Sequence, residues 1–214
     1  QDDALLLSPE GNVLLSVMDD TDHQSPETRR AALEALSSGK AVLSDLFRCP
    51  HGRIHIDAVA PVRDTHGVPI ALLVQRNDAA TYLYPLIQSW LIPSNSAESF
   101  LIQRQGDWIL YLNELRHQTG AALSLRIPLT RTDVPAVQAV KGKKRRFRGI
   151  DYRGVEVLAD LRPVAGTPWF LIAKVDAAEI LAEARYRAVV IALAAVCFIL
   201  LAAMATAYAY RRKQ

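Results

Sequence analysis

Hydrophobic and polar positions along this chain recur in two copies. Leu5–Leu15 overlies Phe100–Leu110 residue for residue at an offset of 95. In both copies two apolar runs flank a Gly-Asn or Gly-Asp step (Gly11-Asn12, Gly106-Asp107) that favours positive φ, which predicts strand, tight turn, strand. Further on, Ala60-Pro61-Val62 recurs as Arg162-Pro163-Val164. The apolar strand that starts at Pro69 recurs from Pro168, and each copy runs into Asp-Ala-Ala, at Asp78 and at Asp176.

Between these landmarks each copy has a short helical signal. Ser25-Pro26-Glu27 reads as an N-cap with Pro at the first helical position, opening a helix over Thr28–Leu36 that Gly39 stops. Thr132-Asp133 opens the counterpart over Val134–Val140, ended by Gly142. The expected order in each half is strand, strand, helix, three strands, helix. The fold class is therefore α+β, two antiparallel sheets with flanking helices in units of ~90 residues. The units expected are 1–93 and 94–176, with Ser94-Asn95-Ser96 after Pro93 at the boundary.

A different pattern closes the chain. Ala188–Tyr208 is a run of 21 residues without a charge, followed by Arg211-Arg212-Lys213. At ~1.5 Å per residue the run spans roughly 31 Å, about one hydrocarbon core. Neither Pro nor Gly interrupts Ala177–Arg212. Those residues are expected to form one helix, 177–212, containing a membrane span at 188–208. The small residues Ala192, Ala195, Ala202 and Ala203 would let two such helices pack closely.

Charge changes this picture only once it is divided. The formal net charge is +3, yet residues 1–187 are neutral and the excess is the Arg-Arg-Lys cluster. Residues 1–93 carry 7 basic and 12 acidic side chains, and residues 94–187 carry 15 and 10. Halves of opposite sign again suggest two units. The chain opens Gln-Asp-Asp, read as a piece whose upstream part, an additional membrane helix among the candidates, lies elsewhere. Cys49 lies in the globular part and Cys197 in mid-span, so no disulfide is expected. Charges flanking the span tie in number, Lys174, Arg185 and Arg187 against Arg211, Arg212 and Lys213, and leave orientation open.

Several longer stretches carry a family resemblance: Leu83–Trp90, Leu112–His117, Asp151–Gly154 and Gly166–Asp176. With the tandem organisation, they resemble the double Cache (PAS-like) extracytoplasmic sensor region of bacterial membrane receptors, of the histidine kinase or diguanylate cyclase type. The resemblance implies a periplasmic globular part in the inner membrane, a cytoplasmic C-terminus, a small-molecule ligand and a homodimer. The first helix expected of the distal unit, with the Arg and Trp-Tyr positions of the amino-acid-binding subgroup, is not found here. By the same resemblance, Arg76 stands at the strand end where that subgroup carries an acid for the ligand amine, and Phe47 stands where a contacting Tyr is common.

Four residues form the candidate ligand site: Phe47, His55, Asp57 and Arg76. His55 and Asp57 alternate onto one face of the strand through Arg53–Val62, either lining a cavity or wetting the outside of a sheet. Arg76 falls in phase with Ile70, Leu72 and Val74. Its guanidinium suits a carboxylate or phosphate, so an anionic or neutral ligand is expected over a cationic amine. The competing reading is a surface Arg.

Other motifs are read more plainly. Cys49-Pro-His51-Gly-Arg-Ile-His55 offers three soft ligands but reads as a hairpin tip, and no metal or other cofactor is expected. Lys141–Arg148 holds six positive charges in eight residues. It reads as a solvated loop, with anionic lipid headgroups as runner-up and nucleic acid weakest. Trp90, Trp108 and Trp169 are expected to pack in the core and between units. No Gly-x-Ser-x-Gly, His-Glu-x-x-His or Gly-rich phosphate loop is present, so this stretch is not read as an enzyme. The alternative to a receptor is a membrane-anchored binding or scaffold protein without signalling output.

Overall fold

The computed structural model describes residues 3–17, 24–89 and 94–213. The first half contains β1 (Asp3–Leu7), β2 (Val13–Ser16), α1 (Pro26–Ser38), β3 (Val42–Leu43), β4 (Phe47–Arg48), β5 (Ile54–Arg63), β6 (Pro69–Asp78) and α2 (Leu83–Gln88). The second contains β7 (Glu98–Gln105), β8 (Trp108–Tyr111), β9 (Arg126–Pro128), α3 (Pro135–Val140), β10 (Arg145–Ile150), β11 (Glu156–Pro163), β12 (Trp169–Asp176) and α4 (Ala177–Lys213).

The internal repeat is a repeat of topology. One sheet runs β2-β1-β6-β5-β3, with β4 also on β5, and the other runs β8-β7-β12-β11-β10 with β9 added outside β8. Every pairing is antiparallel. Four strands, not three, follow α1, because the chain touches β5 twice in two-residue strands. The short β9 was not foreseen.

α1 shows why its sequence is a helix. The Ser25 Oγ accepts from the Thr28 amide at 3.0 Å, Pro26 sits in the first turn, and Gly39 closes the end at φ 69. That left-handed C-cap is the conformation glycine tolerates without strain. Its buried face is Thr28, Ala31, Ala32 and Ala35, small side chains that seat the helix closely on Leu5, Leu7, Val59, Leu72 and Val74. In the second half α3 covers Ile102, Ile109, Tyr111, Leu161 and Ile172 in the same way.

A third apolar cluster joins the two halves: Leu46, Ile54, Ala79 and Tyr84 meet Leu101, Leu110, Leu112, Ala122 and Trp169. Polar contacts pin it. The Tyr84 hydroxyl donates to the Leu112 carbonyl at 2.8 Å and the Arg48 guanidinium to the Ala122 carbonyl at 2.8 Å. Trp169 is buried as expected, but Trp108 is 47% exposed. Alternation along β8 sends Ile109 and Tyr111 under α3 and Leu110 toward the first half. Trp108, at the strand end, lies beyond that cover. Trp90 lies outside the described residues.

α4 starts directly where β12 ends and continues for 37 residues. It is long and apolar enough to cross a membrane.

Candidate ligand site under the first helix

Backbone register brings the four candidate residues together. Asp57 on β5 stands opposite Arg76 on β6, and His55 opposite Phe47 on β4. The Arg76 guanidinium binds Asp57 through two bonds, Nε to Oδ1 and a terminal nitrogen to Oδ2, both 3.0 Å. It also lies over the Phe47 ring, 5.1 Å from its centroid, and that ring is 6.0 Å from the His55 imidazole. All four side chains face inward, Asp57 at 0% exposure and Arg76 at 6%. The wet-face reading of His55 and Asp57 and the surface reading of Arg76 are thus corrected. Odd positions of β5 and even positions of β6 share the face that also carries Val59, Leu72 and Val74 under α1. Ile70, expected in that phase, is exposed because the β5–β6 register shifts between Val62 and Arg63.

Two residues escaped the sequence reading. Thr28, on the buried face of α1, donates its hydroxyl to Asp57 Oδ2 at 2.6 Å. Ser44 Oγ accepts from the Asp57 amide at 2.9 Å. A Thr on an otherwise Ala-lined helix face was the available signal. The buried acid is thus answered by a guanidinium and a hydroxyl, which offsets the desolvation of the pair. Thr28→Val keeps the side-chain shape and removes this donor. It is expected to cost ~1–3 kcal/mol in urea unfolding, and a loss below a few tenths would show the bond idle.

Arg76 therefore does not present a bare charge, and the case for an anionic ligand weakens accordingly. His55 sits beside it, and its imidazole pKa is lowered: burial acts first and the charge of Arg76 second, against the opposing pull of Asp78 and Asp57. Its Nδ1 is buried and, among the described residues, has no hydrogen-bond partner.

Space opens on the other side of Phe47. A cavity of about 270 Å³ is lined by Ser25, Pro26, Glu27, Phe47, Arg48 and Cys49. A cleft of about 570 Å³ between the halves shares Glu27, Phe47 and Arg48 with it and adds Gln103, Leu110 and Leu123. Phe47 is the wall between the buried ion pair and both spaces. The Cys49–Gly52 turn is the hairpin tip expected, with Gly52 at φ 83. Among the described residues no three His, Cys, Asp or Glu side chains are placed to hold a metal ion.

No family model and no curated protein matches this sequence. Solved structures do. The ligand-binding domain of the Pseudomonas aeruginosa PAO1 amino acid chemoreceptor PctB, in complex with L-Arg, superposes with a TM-score of 0.57 at 16% identity, over 82% of this chain and 71% of that one. The ligand-binding domain of the Campylobacter jejuni chemoreceptor Tlp3, in complex with L-norvaline, gives 0.55 at 15%, over 82% and 65%. This is the Cache fold. The extracellular domain mmHK1S-Z2, ascribed to a histidine kinase, gives 0.50 at 16% over 81% and 62%. Those neighbours are ligand-binding domains of two chemoreceptors and the extracellular domain of one kinase-type protein, and here the shared fold is followed by a long apolar helix.

Proposed function

We propose that this chain is the extracytoplasmic ligand-sensing module of a transmembrane receptor. A small molecule enters beside Phe47, and the response passes along α4 to a cytoplasmic kinase or cyclic-dinucleotide output. One observation carries the reading: the membrane helix begins at Ala177 with no linker after the last strand, so the sheet and the span form a single mechanical piece. In this reading residues 1–93 bind ligand and 94–176 relay it, the globular part is periplasmic, and two copies pair along α4. The assignment is binding and transmission, not catalysis.

The cavity wall suggests the ligand's character. Ser25, Glu27, Arg48 and Cys49 supply polar groups of both signs, and the ion pair behind Phe47 is already neutral. A neutral or zwitterionic small molecule suits such a site, in keeping with the L-norvaline held by the Campylobacter jejuni neighbour. The test is a thermal-shift screen of the full chain in lipid nanodiscs against the L-amino acids and small carboxylates. A ligand at a hundredfold its Kd adds ~2.7 kcal/mol and is expected to raise the transition by roughly 5–11 °C. Phe47→Ala is expected to abolish that shift. A flat screen, or a shift unchanged in Phe47→Ala, would refute the site.

A further inference from the structure

At the free edge of the second sheet, β10 carries Arg145, Arg146 and Arg148, and Lys141, Lys143 and Lys144 precede it. An open groove of about 1080 Å³ runs along this edge, lined by Lys144, Arg145, Arg146 and Arg162, with Asp160 the acid among them. Four cations against one carboxylate leave the groove strongly positive. Asp160 accepts from Arg162 at 2.6 Å and stands across the strand pair from Arg146, and among the described residues Lys144, Arg145 and Arg146 form no ion pair. In a regular strand, neighbouring side chains point to opposite faces. Arg145 breaks that rule with φ 69, and three consecutive cations line one groove. A left-handed arginine is a strained choice where glycine would sit easily. The strain is retained at the point where it gathers charge.

We propose that this groove is a binding site for a soluble oligoanion bearing closely spaced phosphate or sulfate groups. It is separate from the cavity beside Phe47 and stands or falls independently of the ligand read there. Several cations along an edge favour a short chain of anionic groups over a single ion, because each arginine engages one group through charge-assisted bonds. Lipid headgroups of the anchoring bilayer are the other source of such chemistry, and the topology disfavours them. Arg145 pairs with Leu161, which pairs with Ile172, four residues before β12 ends at Asp176. Those residues and the eleven of α4 before Ala188 set the groove about 30 Å along the chain from the apolar run, several Debye lengths at physiological salt. Edge strands also use charge to prevent sheet-to-sheet pairing, a role that needs no ligand.

Sodium tripolyphosphate, titrated calorimetrically into the full chain in phosphatidylcholine nanodiscs at low salt, is the probe. One site is expected, at least roughly tenfold tighter than inorganic monophosphate. Arg146→Gln is expected to weaken it by about tenfold or more. Arg148→Gln, whose guanidinium is already bound to Glu156 at 2.7 and 2.9 Å, should leave it within about twofold. Arg145→Gly removes charge and strain together. It should weaken binding while leaving the melting temperature unchanged or raised, the opposite of what a structural role requires. No tripolyphosphate uptake by the wild type, wild-type affinity in Arg146→Gln, or equal losses in Arg146→Gln and Arg148→Gln would each overturn the site. Phosphatidylglycerol vesicles form the second arm. If they float with the wild type but not with Arg146→Gln, while tripolyphosphate stays unbound, the ligand is a headgroup and the soluble reading fails.

Discussion

Lys174→Ala is expected to remove ~3–5 kcal/mol of stability, a large share of the ~5–15 kcal/mol that holds an ordinary domain together. Lys174 lies on β12 two residues before its end, with 1% of its surface exposed. Its ammonium is 2.7 Å from Asp151, 3.1 Å from Glu98 and 4.8 Å from the centroid of the Tyr152 ring. Glu98 also accepts from the Tyr152 hydroxyl at 2.8 Å, and Asp151 from Arg153 Nε at 2.7 Å. Deleting the ammonium strands two buried carboxylates beside each other, and the loss comes from their uncompensated desolvation. Urea unfolding followed by circular dichroism reads it. A change under 1 kcal/mol would show that Arg153 alone neutralises the cluster.

The same cluster predicts an acid response. Burial pushes the Asp151 carboxyl up, but bonds from Lys174 and Arg153 outweigh it and hold the group below its ordinary value of 3.8. A lowered folded-state pKa gives stability that is complete above the unfolded value and lost as pH falls through the folded one. Without Lys174 the main counterweight is gone. Acid unfolding of the variant should begin at higher pH than in the wild type.

Glu179→Ala is expected to loosen the joint between the second sheet and α4 without unfolding either sheet. Glu179 stands in the first turn of α4. Its carboxylate accepts from Ser94 Oγ at 2.8 Å, the Asn95 amide at 3.1 Å, the Ser96 amide at 3.0 Å and the Ser96 hydroxyl. Ser96 Oγ in turn accepts from the Asp176 amide at 3.0 Å. Segment 94–96 is the chain that enters β7, so one carboxylate binds the start of the second sheet to the start of α4. The hydroxyls of Ser96 and Ser94 hold the Glu179 carboxyl down to about 2. That joint is fully made above the ordinary value of 4.5 and lost as pH falls through about 2. At pH 3 it should persist. Hydrogen exchange of the Asn95 and Ser96 amides is expected to rise by about tenfold or more in the variant, since each loses its acceptor. In the wild type the rates, corrected for intrinsic chemistry, should match between pH 6 and pH 3. Unchanged protection in Glu179→Ala would show that Glu179 does not hold segment 94–96 to α4.

The sheets were legible in the sequence because their signals are local. Gly11 and Gly106 mark the hairpins, Ser25, Pro26 and Gly39 bracket α1, and alternation along β5 put His55 and Asp57 on one face. What alternation cannot say is which face is dry. That depends on α1 arriving from a distant part of the chain, and Thr28 completing the Asp57 site depends on the same docking. Trp108 failed for a related reason: a large aromatic signals burial, but cover at a strand end is decided by how far the other half reaches. The Lys174 cluster went unread although a signal was present. A lysine within Phe170-Leu-Ile-Ala-Lys174-Val, in phase with Ile172, is a buried cation by pattern, and buried cations are paired. Its partners, Glu98 and Asp151, are brought to it only by the strand order.

Lys174 and Arg76 occupy the same place in the two halves, each two residues before the aspartate that ends its sheet's central strand. An amine set between two carboxylates and against an aromatic ring is how a protein would hold a free amine from solution. In the second half that amine is covalently part of the chain. Its effective concentration never falls with dilution, so the place between Glu98, Asp151 and the Tyr152 ring is filled at all times by the chain's own lysine.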